Sequence, residues 1–465
     1  MNKRIDSFVR ENSAQMLEDI KRIVAVRSVK GNPEPGKPYG PGPAAAIECM
    51  EEIVREHGLS TRNVDGYVLE VNLNDKPDGV GILCHLDVVH EGSGWTTPPY
   101  EMDIRDGRIY GRGVSDNKGP AIASLYAMKC VKELGQDLNK NVRLMLGTDE
   151  ECGSSDLVEY WKRATPPPYC FSPDAAFPVY NIEKGRFAPH FTAAFEENAE
   201  LPRIVRISGG NAVNIVPADA EAEIEGMDIE TVIKYADACS LKTEIKFSAE
   251  ELGGRILIKA KGVNTHASYP EDGNNALTGI LALMASMPMA CSDGFEYIKA
   301  AAELLPHGDW LGEAAGIKMS DELSGPLTCN LGTFEYTTSS LEGGIDVRSP
   351  ICGGKENVAL VMERSFAGRG MALSTTDMVL PHHVPEELPF VQTLMRHFED
   401  VTGIKGECLA MGGGTYVHGM KNSVAFGAAF PDTDTFAHAP DEYAVIGELE
   451  ACVKIFAGII IDMCK

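Results

Sequence analysis

Residues 79–85, Gly-Val-Gly-Ile-Leu-Cys-His, and residues 142–151, Val-Arg-Leu-Met-Leu-Gly-Thr-Asp-Glu-Glu, are short apolar runs that end in polar side chains. Between them residues 118–134 carry helical periodicity, and Gly135 suits the position after a helix end. Apolar strand, helix and apolar strand in this order predict an α/β sheet buried on both faces. In open sheets of this kind, ligands bind beyond the carboxyl ends of the strands. The polar residues that follow each run, His85 and Asp149-Glu150-Glu151, are therefore placed for chemistry.

Upstream, Phe8, Met16, Leu17, Ile20, Ile23 and Val24 recur at helical spacing. Residues 30–43, rich in Gly and Pro, read as a loop, and a second helix follows over about 44–57, stopping at Gly58. From about 187 to 379 the texture changes to short candidate strands, such as 203–208 and 255–260, with helices near 229–239 and 275–287. Beyond 380, helix and strand patterns return, ending in an apolar helix near 446–463. The expected architecture is a mixed sheet flanked by helices, discontinuous over 1–186 and 380–465, with an inserted α+β domain over 187–379.

Composition limits the partners. Among 465 residues, 42 Lys+Arg stand against 68 Asp+Glu, a net charge of −26, which argues against nucleic acid and anionic membrane surfaces. Twelve cysteines without a Cys-x-x-Cys pair fit a reducing compartment rather than a disulfide framework or zinc ribbon. With no apolar segment at the N-terminus and no run long enough to span a bilayer, the expected location is the cytoplasm.

Several polar groups then stand out. His85 and Asp87, two apart, share a side of an extended segment, although an isolated His-x-Asp means little and reads first as a strand-end His bonded to solvent. Asp116 in Gly111-Arg112-Gly113-Val114-Ser115-Asp116-Asn117-Lys118-Gly119 precedes a helix, where an aspartate also serves as an ordinary cap. Three adjacent acids, Asp149, Glu150 and Glu151, repel one another unless a cation relieves them. Asp174 follows Ser172-Pro173, and His438 sits in Phe-Ala-His-Ala-Pro-Asp-Glu. Together His85, Asp116, Glu151, Asp174 and His438 offer two imidazoles and three carboxylates. That set suits two divalent metals sharing one carboxylate, zinc first and manganese second.

The ordered motifs HLDVV, GWTTPPYEMDIRDGRIYGRGVSDNKGP, TDEECGSSD, SPDAAFPV and HAPDE resemble the co-catalytic zinc peptidase family. That family takes in aminoacylases, carboxypeptidase G, succinyl-diaminopimelate desuccinylase, carnosinases and PepV-type dipeptidases. The likeness is greatest to the PepV type and runs over nearly the whole chain. It implies that His85 and Asp174 hold one metal, Glu151 and His438 the other, and that Asp116 bridges them. It further implies that Glu150 is the base acting on a metal-bridging water, that Asp87 orients His85, and that the Asp116–Asn117 peptide bond is cis. Asn117 stands where many relatives have a second Asp.

The same resemblance makes the inserted domain a lid. His266 in Lys261-Gly-Val-Asn-Thr-His-Ala-Ser-Tyr-Pro270 would stabilise the oxyanion. Asn214 would bind substrate, Arg348 in Ile-Asp-Val-Arg-Ser-Pro would grip its C-terminal carboxylate, and Gly413 and Gly414 would add backbone donors. The implied activity is hydrolysis of dipeptides by a monomer with two metal ions per chain. An N-acyl amino acid deacylase or another exopeptidase of the family is the alternative, and an inactive metal-binding homologue the more remote one.

Overall fold

The computed structural model describes residues 2–465. The chain divides into two compact units. The first runs up to Ile182 and resumes over His383–Leu409 and Gly414–Lys465; the second comprises Glu183–His382 with the short segment Ala410–Gly413.

The first unit is built on a mixed sheet. Strand Asp78–His85 lies at its centre, parallel to Asn141–Gly147 on one side and to Cys170–Ser172 on the other. Ser423–Ala425 continues the parallel set beyond Cys170–Ser172, while Val68–Asn72 and Ser60–Val64 add antiparallel strands at the far side. Val80, Ile82, Leu83 and Cys84 are all fully buried, so side chains of both parities face apolar neighbours, as in a sheet covered by helices. Helix Lys118–Glu133 packs against Ile446–Cys464 and Asn2–Val24, and Pro389–Thr402 packs on Ile446–Cys464. Parallel register sets His85 opposite Gly147. The segments after three strands therefore leave from one edge of the sheet.

One predicted boundary moves. The second helix begins at Pro41 rather than 44, because a proline ring fixes φ near the helical value and gives up an N–H that the first turn leaves unpaired. The residue before helix Lys118–Glu133 is Asn117, without a side-chain capping bond, so Asp116 is released from the capping role and is free to act elsewhere.

The second unit is an antiparallel sheet with helices on one side. Its order is Lys246–Leu252, Arg255–Lys261, Asp219–Glu225, Arg203–Gly209, Thr328–Tyr336, Ser340–Ser349, His190–Ala194 and Ala372–Leu373. Burial alternates along Asp219–Glu225 and Arg255–Lys261, with Ala222, Ile224, Ile256 and Ile258 inward and charged residues outward. This is the pattern of a sheet with one wet face. Helices Ile229–Thr243, Ala276–Ser286 and Asp293–Leu304 start at Asp228, Asn275 and Ser292, whose side chains accept backbone N–H bonds from the first turn. The turn between the first two strands is Gly253-Gly254, with φ of 61° and 87°, which only glycine tolerates easily at both positions of such a hairpin. Ala410–Gly413, expected in the first unit, groups with the second because Met411 O accepts from Lys184 N at 2.8 Å and Gly412 O from Arg348 at 2.7 Å.

Candidate metal centre

Five side chains of the first unit converge beyond the carboxyl edge of the sheet. His85 is the last residue of its strand, Glu151 sits in the 3₁₀ turn Glu150–Cys152 that follows Asn141–Gly147, and Asp174 follows Cys170–Ser172. Asp116 lies on the turn before helix Lys118–Glu133, and His438 lies in the loop ahead of Tyr443–Val445. The Asp116–Asn117 peptide bond is cis.

Asp116 holds the centre together. Its Oδ1 lies 2.9 Å from His85 Nε2 and its Oδ2 lies 2.9 Å from His438 Nε2. His85 Nε2 is also 3.6 Å from Asp174 Oδ1, and His438 Nε2 is 3.2 Å from Glu151 Oε2. The groups thus fall into two triads, His85/Asp116/Asp174 and Asp116/Glu151/His438, each with its donor atoms within 4.8 Å. Imidazole and carboxylate donors at such spacing match borderline divalent cations. The buried Oε1 of Glu151 has no hydrogen-bond partner, which leaves a carboxylate oxygen for a cation to take.

The electrostatics point the same way. Burial opposes charge on His85, but the facing Asp174 carboxylate and its bonds to Asp116 and Asp174 outweigh this and raise its pKa well above the usual value. His438 is pushed up to about 11, chiefly by its bonds to Asp116 and Glu151. Burial would raise Asp116, yet its bonds to His438 and His85 hold it below the ordinary range. Glu150 is raised well above a free carboxylate by burial and then by the charge of Asp174. Without a cation, the protons of two imidazoles balance the carboxylates, so a metal and those protons compete for the same atoms.

Surrounding residues hold these groups in place. His85 Nδ1 bonds to the backbone carbonyl of Asp87 at 2.9 Å, closer than the 3.5 Å to its carboxylate. The Asp87 carboxylate instead accepts the backbone N–H groups of Glu150 and Glu151 at 3.2 and 3.1 Å, so it fixes the turn that carries both. Asn117 donates to Pro173 O and to Asp174 Oδ1 at 2.7 and 3.1 Å. A second Asp there would lose both bonds and set charge against charge.

Two supports lie in the motifs HAPDE and TDEECGSSD without having been singled out as site residues. Glu442, fully buried, accepts from Gly113 N, Ser115 N, Ser115 Oγ and Asp116 N at 3.0–3.1 Å and pairs with buried Arg112 at 2.7 Å. It ties the loop of Asp116 to the segment of His438, more than 300 residues away. Asp156, also buried, accepts Thr148 N and Asp149 N and bonds the hydroxyl of Tyr416. The Tyr416 ring meets His85 edge-on at 6.3 Å. Any side chain at Gly147 would collide with Tyr416 and Asp156.

In the second unit, strand Thr265–His266 pairs with Ile215–Val216, so His266 lies opposite Ile215 and beside exposed Asn214, whose carbonyl accepts Ala267 N at 2.9 Å. The backbone N–H of Ser268 donates to His266 Nδ1 at 3.2 Å. Because an amide N–H can only donate, the proton of the neutral ring sits on Nε2. Arg348 is buried and gives Nε and one terminal nitrogen to Asp346 at 2.6 and 2.9 Å, and the other terminal nitrogen to Gly412 O. Gly413 is half-buried and Gly414 exposed.

Imidazoles and carboxylates converging at the carboxyl edge of an α/β sheet, around a shared aspartate, define a metal-dependent hydrolase. Residues 81–462 match the family described as Peptidase family M20/M25/M40. The chain belongs to that family and is a metallopeptidase. It is 34% identical over 456 residues to a Bacillus subtilis (strain 168) protein named "Putative dipeptidase YtjP", covering 97% of each chain. It is 30% identical over 455 residues to the Beta-Ala-Xaa dipeptidase of Lactobacillus delbrueckii subsp. lactis, covering 97% of this chain and 96% of that one. Among solved structures, the aminoacylhistidine dipeptidase of Vibrio alginolyticus shares the fold at a TM-score of 0.60 and 12% identity, over 97% and 96% of the two chains. Human carnosine dipeptidase 1 shares it at 0.59 and 15%, over 100% and 98%. No helix among the described residues is long and apolar enough to cross a membrane.

Proposed function

We propose that this chain hydrolyses the peptide bond of dipeptides at a pair of divalent cations, zinc by preference and manganese as the substitute. The observation that carries the reading is Asp116, whose two carboxylate oxygens each face a different histidine at 2.9 Å. One triad would hold one cation and the other triad the second, with Asp116 common to both. Bound there, the cations supply Lewis acidity and bring the pKa of water toward 7.

The remaining chemistry belongs to the chain. Glu150, held by the Asp87 carboxylate through its backbone N–H, takes the proton of the attacking water. Enclosure raises its proton affinity, which suits a group that must then hand the proton to the leaving amine. His266, with its proton on Nε2, donates to the oxyanion. Arg348 keeps two of its five N–H groups after serving Asp346 and Gly412. These take the substrate's C-terminal carboxylate, with Asn214 and the backbone of Gly413 and Gly414 as further contacts. Full-length similarity to a Beta-Ala-Xaa dipeptidase supports a two-residue substrate.

The chain works as a cytoplasmic monomer in this reading; the scattered spacing of its twelve cysteines suits a reducing compartment. Metal analysis of the purified protein, with a panel of dipeptides beside acetylated and succinylated amino acids, tests the function. Glu150→Ala is expected to keep its metals and lose turnover by at least 100-fold. Undiminished dipeptide hydrolysis by that variant would exclude the mechanism.

A further inference from the structure

We propose that the Ser268 hydroxyl is a specificity-determining donor that reads the substrate's C-terminal carboxylate alongside Arg348. The proposal rests on the dipeptidase reading above and adds a residue to it.

Ser268 is 9% exposed, and its Oγ has no hydrogen-bond partner. Buried hydroxyls are nearly always paired within the fold or with a ligand. This one sits at a junction of the second unit. Its own backbone N–H orients His266. On its other side lies Gly412, packed so closely that a Cβ there would come within 2.5 Å of Ser268 Oγ. The carbonyl of that same glycine takes an N–H of Arg348 at 2.7 Å. A second path leads to the same arginine. The Thr328 hydroxyl donates to Ala267 O at 3.3 Å, and Thr328 lies directly across the ladder from Arg348.

The hydroxyl therefore lies in a patch whose other members are a guanidinium with two uncommitted N–H groups and an imidazole holding its proton on Nε2. A carboxylate can accept from the guanidinium and the hydroxyl together, Arg348 and Ser268 dividing its two oxygens between them, while the His266 Nε2 proton is left for the oxyanion. Glycine at 412 is what lets the serine approach this closely.

Ser268→Ala removes the hydroxyl and keeps the amide that holds His266, so the two roles separate. The metal-loaded full-length protein is assayed with a dipeptide and with the same dipeptide as its C-terminal amide. We expect the variant to show a KM for the free dipeptide raised about tenfold, since a hydrogen bond to a charged group is lost. Its kcat should stay within about twofold and its thermal midpoint should be unchanged; for the amide, kcat/KM should fall less than about twofold. Equal losses on both substrates would make Ser268 a structural residue, and no loss on either would make its hydroxyl idle; both outcomes overturn the proposal. If the unmodified enzyme itself fails to prefer the free carboxylate over the amide, the carboxylate reading of Arg348 falls first, and Ser268 with it.

Discussion

Replacing Glu442 by Gln removes one negative charge and leaves the size of the side chain almost unchanged. The structure says the change is nonetheless severe. One oxygen of Glu442 accepts from Gly113 N, Ser115 N, Ser115 Oγ and Asp116 N, and the other pairs with Arg112 at 2.7 Å while sharing Gly113 N. A glutamine can satisfy only one side. If its oxygen serves the loop, its NH₂ meets the Arg112 guanidinium; if its oxygen serves Arg112, the NH₂ meets the loop's donors. Arg112 and Glu442 are 1% and 0% exposed, so either orientation leaves buried donors facing one another. Breaking a buried pair from one side costs about 3–5 kcal/mol. At about 2–4 °C per kcal/mol for a unit of this size, the melting midpoint should fall by about 10 °C. The loop that moves carries Asp116, so metal affinity should fall about 10–100-fold, as when other outer supports of ligands are removed. Calorimetry and a metal-buffered titration measure the two effects separately. Adding Arg112→Met to Glu442→Gln removes the stranded cation and should restore most of the lost midpoint. A single variant that melts within about 2 °C of the parent and binds metal normally would show that the carboxylate does not hold this loop.

Two further outcomes follow from the electrostatics. Burial, partly offset by the Tyr416 hydroxyl, raises the Asp156 carboxyl to about 6 from an ordinary 3.8; the fold then prefers its protonated form, so this group's share of stability is greatest below pH 4, declines as pH rises from about 4 to 6 and is level above. The decline is about 3 kcal/mol, and chemical denaturation across pH 4–7 should show it in the parent but not in Asp156→Asn; identical slopes would refute it. Because His85 and His438 hold protons on the atoms that metals must take, loading the metal-free protein should release protons and tighten as pH rises, and calorimetric titration in two buffers of different ionisation enthalpy should give a non-zero proton count at pH 7.

The sheet was readable because burial on both faces leaves a run of apolar residues that ends abruptly in polar ones, as at Cys84-His85 and Leu146 to Glu151. The grouping of the five candidate ligands was readable for a related reason. Four members end or follow a strand or precede a helix, while His438 lies in a loop, and five such acids and histidines in a fixed order mean more together than any one alone. What escaped was the supporting layer, and the cause is chemical. Glu442 and the Asp87 carboxylate act on backbone N–H groups, which every residue except proline carries, so their partners leave no mark on the sequence. Asp87 was expected to orient His85 through its carboxylate. Asp87 meets the His85 ring through its backbone carbonyl at 2.9 Å and its carboxylate at 3.5 Å, and that carboxylate also holds the turn of Glu150 and Glu151. The same limit applies to Ser268, whose amide holds His266 and whose hydroxyl lies against Gly412. In the first two cases the fold joins segments distant in sequence through backbone N–H groups. The residues hardest to read from sequence are therefore those that act on the backbone of another segment.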